Sequence, residues 1–225
     1  MTFRLHHVQY GRSVRVLWLI EEIGLEDILG EPLDVVEYQI GSREMYESNL
    51  RNVSPATRIP ALEIGDISMS ESGAIVEYLT ETYAPALGVA AGQLGRVEYL
   101  QWIHYAETMA SLIEQLNLQM VFLRPPAKAS PVVLKLNVAR LRHVMAGLEA
   151  RLEGRAWLLD SGFSAADIMM GFNIFAAPYY VKLDDFPNLS AYKARIEAMP
   201  SYQRVIAREG EQRFYAQDFY PVPTE

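Results

Sequence analysis

The chain has 225 residues, half of them hydrophobic, and a formal net charge of −8. That length is long for one domain and comfortable for two, with enough apolar material for a sizeable core. The acidic balance, with no Lys/Arg run, argues against a surface that tracks nucleic-acid phosphates, and the absence of cysteine excludes disulfides, thiolate metal sites and catalytic thiols.

Phe3 to Val8 reads as a short first strand. Residues 9–13 form a turn, and Val14 to Ile23 a helix with Val16, Leu19, Ile20 and Ile23 as its buried stripe. Arg15, Glu21 and Glu22 fall on the other face and are expected in water. Gly24 stands where a helix ends. Leu33 to Tyr38 reads as a second strand, parallel to the first by a right-handed crossover. Gly41 to Val53 suggests a short irregular helix, broken at Ser54-Pro55.

The segment from Arg58 to Leu79 carries the most information. Ala61–Ile64 and Ile67–Met69 flank Gly65-Asp66 as a hairpin, and a helix follows with Ser70 as the expected N-cap. Pro60 offers no N–H to the ladder, and Ile59 before it is pushed to an extended conformation. The first turn of the following helix has free N–H groups, a ready anion site. A ligand with a peptide-like middle and a terminal carboxylate suits both features.

Residues 85–92 are uncharged and aperiodic, and read as a linker. Beyond them the pattern is helical. Tyr99, Ala106, Ile113 and Met120 recur every seven residues, as do Trp102, Met109, Leu116 and Leu123, predicting a helix of about eight turns. A second helix, from Pro131 to about Leu152, has matching spacing and should pack beside it. Ser164 and Asp167 form a capping box, with Phe163 as staple, before a helix at Ile168–Phe175 that is apolar on nearly every side. Ala191–Met199 and Tyr202–Arg208 are short helices, and Gln217–Glu225 is a tail. The domains expected are therefore 1–83, a linker at 84–92, and 93–225.

Arg-Ile-Pro-Ala-Leu, a hairpin, then Ser-Glu-Ser-Gly-Ala-Ile-Val-Glu-Tyr-Leu resembles the glutathione-binding core of cytosolic glutathione transferases, bacterial and fungal types among them. The resemblance covers nearly the whole chain. It implies an α/β thioredoxin-like N-terminal domain (β-α-β-α-β-β-α) and an all-α C-terminal bundle. It also implies glutathione as co-substrate, no metal, a small hydrophobic electrophile as acceptor, and a homodimer. Carried over by position, Ile59 with a cis Pro60 would pair with the cysteinyl backbone of glutathione. Glu71 and Ser72 would hold its γ-glutamyl end, and Arg58 would touch its backbone.

The residue that activates the thiol is open between Tyr10, Ser13 and backbone N–H groups of the turn. Several classes place Ser or Cys where this chain has Tyr10. Related bacterial and fungal sequences place serine one residue later, at Gly11. Tyr105 and Met109 are the acceptor-site candidates, although Met109 also belongs to the helical seam. The implied activity is conjugation of the glutathione thiolate, with reduction of hydroperoxides beside it. The alternative is a glutathione-binding or interaction protein with little or no turnover. His6, His7, His104 and His143 lack metal-ligand spacing. No leader pattern or apolar span appears, so a cytoplasmic location away from membranes is expected.

Overall fold

The structure is a computed structural model that describes residues 1–222, so Pro223 to Glu225, the end of the expected tail, lie outside the described residues. The chain divides into two compact units. One comprises residues 1–99 with 198–212, the other residues 100–197 with the described residues from 213 on.

The first unit is built on a four-stranded sheet whose strands lie in the order β2 (Asp34–Glu37), β1 (Phe3–His7), β3 (Ala61–Ile64) and β4 (Ile67–Ser70). Strand β1 (Phe3–His7) runs parallel to β2 (Asp34–Glu37), with α1 (Val14–Ile23) and α2 (Leu25–Leu29) between them in sequence. Gly24 ends α1 at φ 62°, a left-handed conformation that glycine adopts without a Cβ clash. The polar segment before the hairpin folds as α3 (Arg43–Glu47) and α4 (Leu50–Val53). Strands β3 (Ala61–Ile64) and β4 (Ile67–Ser70) form the hairpin, and α5 (Ser72–Tyr83) follows. Leu5, Val16, Trp18, Leu19, Ile75 and Leu79 are wholly buried and form the centre of this unit.

A last helix, α10 (Pro200–Glu209), completes the first unit rather than the second. It lies on α1, where Trp18 Nε1 donates to Ser201 Oγ at 3.0 Å and the Trp18 and Tyr202 rings meet edge to face at 4.9 Å. Ser201 Oγ in turn donates to Glu22, and Arg204 pairs with Glu21.

The second unit is helical. The long helix α6 (Arg96–Asn117) is shorter than its heptad pattern predicted, because residues 118–122 wind into a π-helical turn. Such turns leave the i−4 hydrogen-bond ladder. Helix α7 (Pro131–Arg151) packs beside it, with Asn137 Nδ2 donating to Gln115 Oε1 at 3.0 Å. Helix α8 (Ala165–Ala176) is buried on nearly every side, behind the expected capping box of Ser164 and Asp167. The Asp167 carboxylate also accepts from Leu158 N–H at 3.0 Å and from the Tyr192 hydroxyl of α9 (Pro187–Glu197) at 2.7 Å. Burial holds the Tyr192 hydroxyl well above its ordinary pKa, so it stays a donor. The tail is ordered at Tyr220, whose N–H donates to Tyr179 C=O at 2.8 Å. Among the described residues, no helix is long and apolar enough to cross a membrane.

Candidate functional site

The sheet register gathers the candidate residues. His6 pairs with Ala61, and Ala61 pairs with Ser70, both antiparallel. The C-terminal ends of β1 and β4 and the start of β3 therefore lie at one end of the sheet. Beside the segment that follows β2, three chain segments meet there: residues 8–13, 54–60 and 71–72. Among the described residues, the only non-glycine residues with positive φ are Tyr10 (53°), Thr57 (52°) and Glu71 (74°), one in each segment. Left-handed conformations disfavour residues with a Cβ by roughly 1–2 kcal/mol. Three of them at one end of one sheet mark a candidate functional site.

In the segment before β3, the Ile59–Pro60 bond is cis, as the sequence pattern led us to expect. The ladder begins at Ala61, so the backbone of Ile59 lies beyond it. Its side chain is half-buried against Leu50, Val53 and Ala61. Ser54 shapes this turn, a role the sequence did not suggest. Its hydroxyl accepts from Arg58 N–H at 3.0 Å and its carbonyl from Thr57 N–H at 2.8 Å. Arg58 itself is exposed.

In the segment after β4, Ser70 is the last strand residue, not the helix cap expected of it. Its pairing with Ala61 keeps it in the sheet, and the chain turns instead at Glu71. The Glu71 side chain is exposed, while Ser72, the first residue of α5, is buried. Ser72 Oγ accepts from Arg15 Nη1 at 3.0 Å. Arg15 is 0 % exposed, which overturns its reading as a water-facing residue of α1. Helices α5 and α10 both pack on α1, and its residues 14–20 are all buried. The buried guanidinium places a permanent positive charge beside the N-terminus of α5, and the two together favour an anion there.

In the segment after β1, Ser13 is fully buried and its hydroxyl closes the turn, donating to Val8 C=O and accepting from Val8 N–H, both at 3.1 Å. It caps no N–H of α1. At Gly11, a Cβ would lie 2.9 Å from the Val8 carbonyl oxygen, so a serine there would displace backbone. Tyr10 is buried, and its hydroxyl donates to Gly210 C=O at 2.6 Å. Its N–H donates to the Glu209 carboxylate, and the Gln9 side-chain amide donates to the Glu209 carbonyl. His7 Nε2 lies 2.8 Å from Glu209 Oε1, both side chains being almost wholly buried. A carboxylate only accepts, so Nε2 carries the hydrogen of this contact. His7 Nδ1 is buried without a hydrogen-bond partner among the described residues. The neighbouring His6 bridges Tyr38 and Glu63 at 2.9 and 3.0 Å.

The two acceptor-site candidates lie in the second unit. Met109 is 0 % exposed within the seam of α6. The Tyr105 hydroxyl donates to Val144 C=O of α7 at 2.9 Å, and burial pushes its pKa up, so it stays a neutral donor. The Tyr105 bond ties α6 to α7, and Met109 is closed to solvent. Among the described residues, no group of three His, Asp or Glu side chains could hold a metal ion.

Residues 5–87 match the family model described as glutathione S-transferase, N-terminal domain, and residues 114–200 match the one described as glutathione S-transferase, C-terminal domain. The chain belongs to the glutathione S-transferase family. Its curated relatives include glutathione S-transferase 1 of Triticum aestivum, 28% identical over 213 residues that cover 88% of this chain and 90% of that one. Mouse (Mus musculus) glutathione S-transferase theta-3 is 28% identical over 186 residues, covering 75% and 73% of the two chains. Among solved structures, a glutathione transferase of Phanerochaete chrysosporium with oxidized glutathione superposes with a TM-score of 0.79 at 21% identity, covering 92% of this chain and 94% of that one. A family member from Pseudomonas fluorescens with two glutathione bound gives 0.76 at 22% identity, with 90% and 91% covered. At those identities the two structures speak for the fold: the thioredoxin-like sheet and helical bundle expected of a glutathione S-transferase.

Proposed function

We propose that the protein conjugates the thiolate of glutathione to small hydrophobic electrophiles, and reduces organic hydroperoxides with the same thiolate. The observation that carries this reading is the convergence of the Tyr10, Ile59 and Glu71–Ser72 segments at one end of the sheet. The Ile59 backbone pairs with the cysteinyl part of glutathione, and Arg58 lies alongside. The γ-glutamyl carboxylate sits at the start of α5 by Ser72, beside the buried charge of Arg15, and Glu71 takes the γ-glutamyl ammonium.

An unperturbed thiol has a pKa near ~8.5, and lowering it by about two units takes roughly 2.7 kcal/mol of preferential stabilisation. The hydroxyls of Tyr10 and Ser13 are both engaged within the protein. The N–H groups of Tyr10, Gly11 and Val14 are engaged with Glu209, Val8 and Gly11, so we assign the thiolate first to the Ser13 N–H, where the 9–13 turn enters α1, with the two hydroxyls shaping that turn. The thiol proton leaves to solvent, the sulfur lone pair forms the bond to the electrophilic carbon, and the leaving group departs with its bonding pair. Acceptor specificity is assigned to neither Tyr105 nor Met109. The reduced thiol is the form the cytosol maintains, so a cytoplasmic location goes with this chemistry.

Calorimetric titration with glutathione, followed by the thiolate absorbance of the bound ligand against pH, tests the reading. Binding with a lowered thiol pKa is expected in the unaltered protein and in Tyr10→Phe alike. A rise of about one unit in Tyr10→Phe would return the donor role to that hydroxyl, and a rise confined to Ser13→Ala would give it to Ser13. Absence of binding would leave an interaction protein on the same fold.

A homodimer is part of the proposal. Strand β4 is the sheet edge, and Ile67 on it is 43% exposed, the kind of apolar edge a second copy covers. A stable interface buries about 1,200 Å² or more. Light scattering at micromolar concentration should then report twice the 25.5 kDa chain mass, and a monomer mass would remove the dimer alone.

A further inference from the structure

We propose that Glu209, the last residue of α10, is the positioning residue of the thiol-activating turn. This rests on the glutathione reading of that turn. One residue meets two members of the segment and the last residue of β1: its carboxylate takes the Tyr10 N–H and the His7 ring, and its carbonyl takes the Gln9 side chain. The neighbouring Gly210 carbonyl takes the Tyr10 hydroxyl.

The chemistry requires a carboxylate. Tyr10 sits at φ 53°, a conformation a tyrosine does not hold unaided, and its N–H reaches Oε2 while His7 Nε2–H reaches Oε1. Two donors converge on one side chain, which is 1% exposed, and only a carboxylate accepts at both oxygens. A glutamine would turn an N–H₂ toward one of the donors. His7 cannot absorb that change by shifting its proton, because Nδ1 faces no acceptor among the described residues. With Tyr10 fixed, the following residues enter α1 in one geometry, and the Ser13 N–H is held in one direction toward sulfur. Glu209 thus acts on the thiol through the turn, without touching it.

Glu209→Gln is the test, read three ways. Hydrogen exchange of amides 10–13 in the ligand-free protein should quicken by about tenfold or more. The thiol of bound glutathione should lose about tenfold of its thiolate fraction at a pH below its pKa, a rise of one unit. Binding of S-methylglutathione, which keeps the anchors and lacks the thiol, should stay within about twofold, as anchoring by Ile59, Glu71 and Ser72 is independent of the clasp. Ser201→Ala loosens the same helix on α1 and should change neither exchange at 10–13 nor the thiol. An equal loss in Ser201→Ala and Glu209→Gln would assign the effect to helix packing and overturn the proposal, as would unchanged exchange in Glu209→Gln. A loss of S-methylglutathione binding as large as the thiol effect would make Glu209 merely structural. If the unaltered protein binds neither ligand, the glutathione reading falls and the positioning role falls with it, whatever the exchange rates show.

Discussion

Glu71→Ala is expected to weaken glutathione binding by at least tenfold and leave the fold intact. The side chain is exposed, so its removal opens no cavity. Both residues carry a Cβ, so the cost of the positive φ at this position is common to the two proteins. What remains is the carboxylate. A hydrogen bond to a charged partner is worth about 1.5–3 kcal/mol, and about 1.4 kcal/mol is tenfold in affinity. Glu71→Gln keeps the shape and removes the charge, so it should fall between the two. Calorimetry gives the dissociation constants directly. A constant unchanged in Glu71→Ala would take the γ-glutamyl ammonium away from this residue.

Asp167→Ala should cost the protein more than any surface change. The carboxylate is 0 % exposed and accepts from Leu158 N–H, Ser164 N–H, Ser164 Oγ–H and the Tyr192 hydroxyl. Deleting it orphans buried donors at about 1–3 kcal/mol each, so a loss of about 3 kcal/mol or more is expected. Asp167→Asn keeps one acceptor oxygen but turns N–H₂ toward a donor, and should lose less. Denaturant midpoints at constant slope measure both. Equal midpoints for Asp167→Ala and the unaltered protein would show that the box orders α8 without stabilising it.

The parts of this molecule that sequence makes legible are those whose causes are local. The period of α7, the capping box of α8 and the turn at Gly65-Asp66 each depend on residues a few positions apart. Ile59-Pro60 and Glu71-Ser72 are legible for the same reason, being held together by one hairpin. Arg15 was misread because helical spacing says which residues share a face, not how many faces are covered. The helix that closes its other side lies far down the chain. Glu209 was invisible on the same ground: nothing near residue 209 hints at a partner 199 positions earlier. Ser70 was misread because a cap and a strand end draw on the same residue types, and the sheet register decided between them.

The place of α10 bears on how the protein is made. The first unit contains residues 198–212, so a ribosome has to release those residues before Trp18, Glu22 and Tyr10 can meet their partners. Closing so long a loop costs little extra free energy, about 0.6 kcal/mol for each doubling of its length. Order in time is the stricter constraint: the nascent sheet must wait, with the Trp18 face uncovered, while the second unit emerges. Residues 10–22 are therefore made long before their partners in α10 and are among the last to reach their final form.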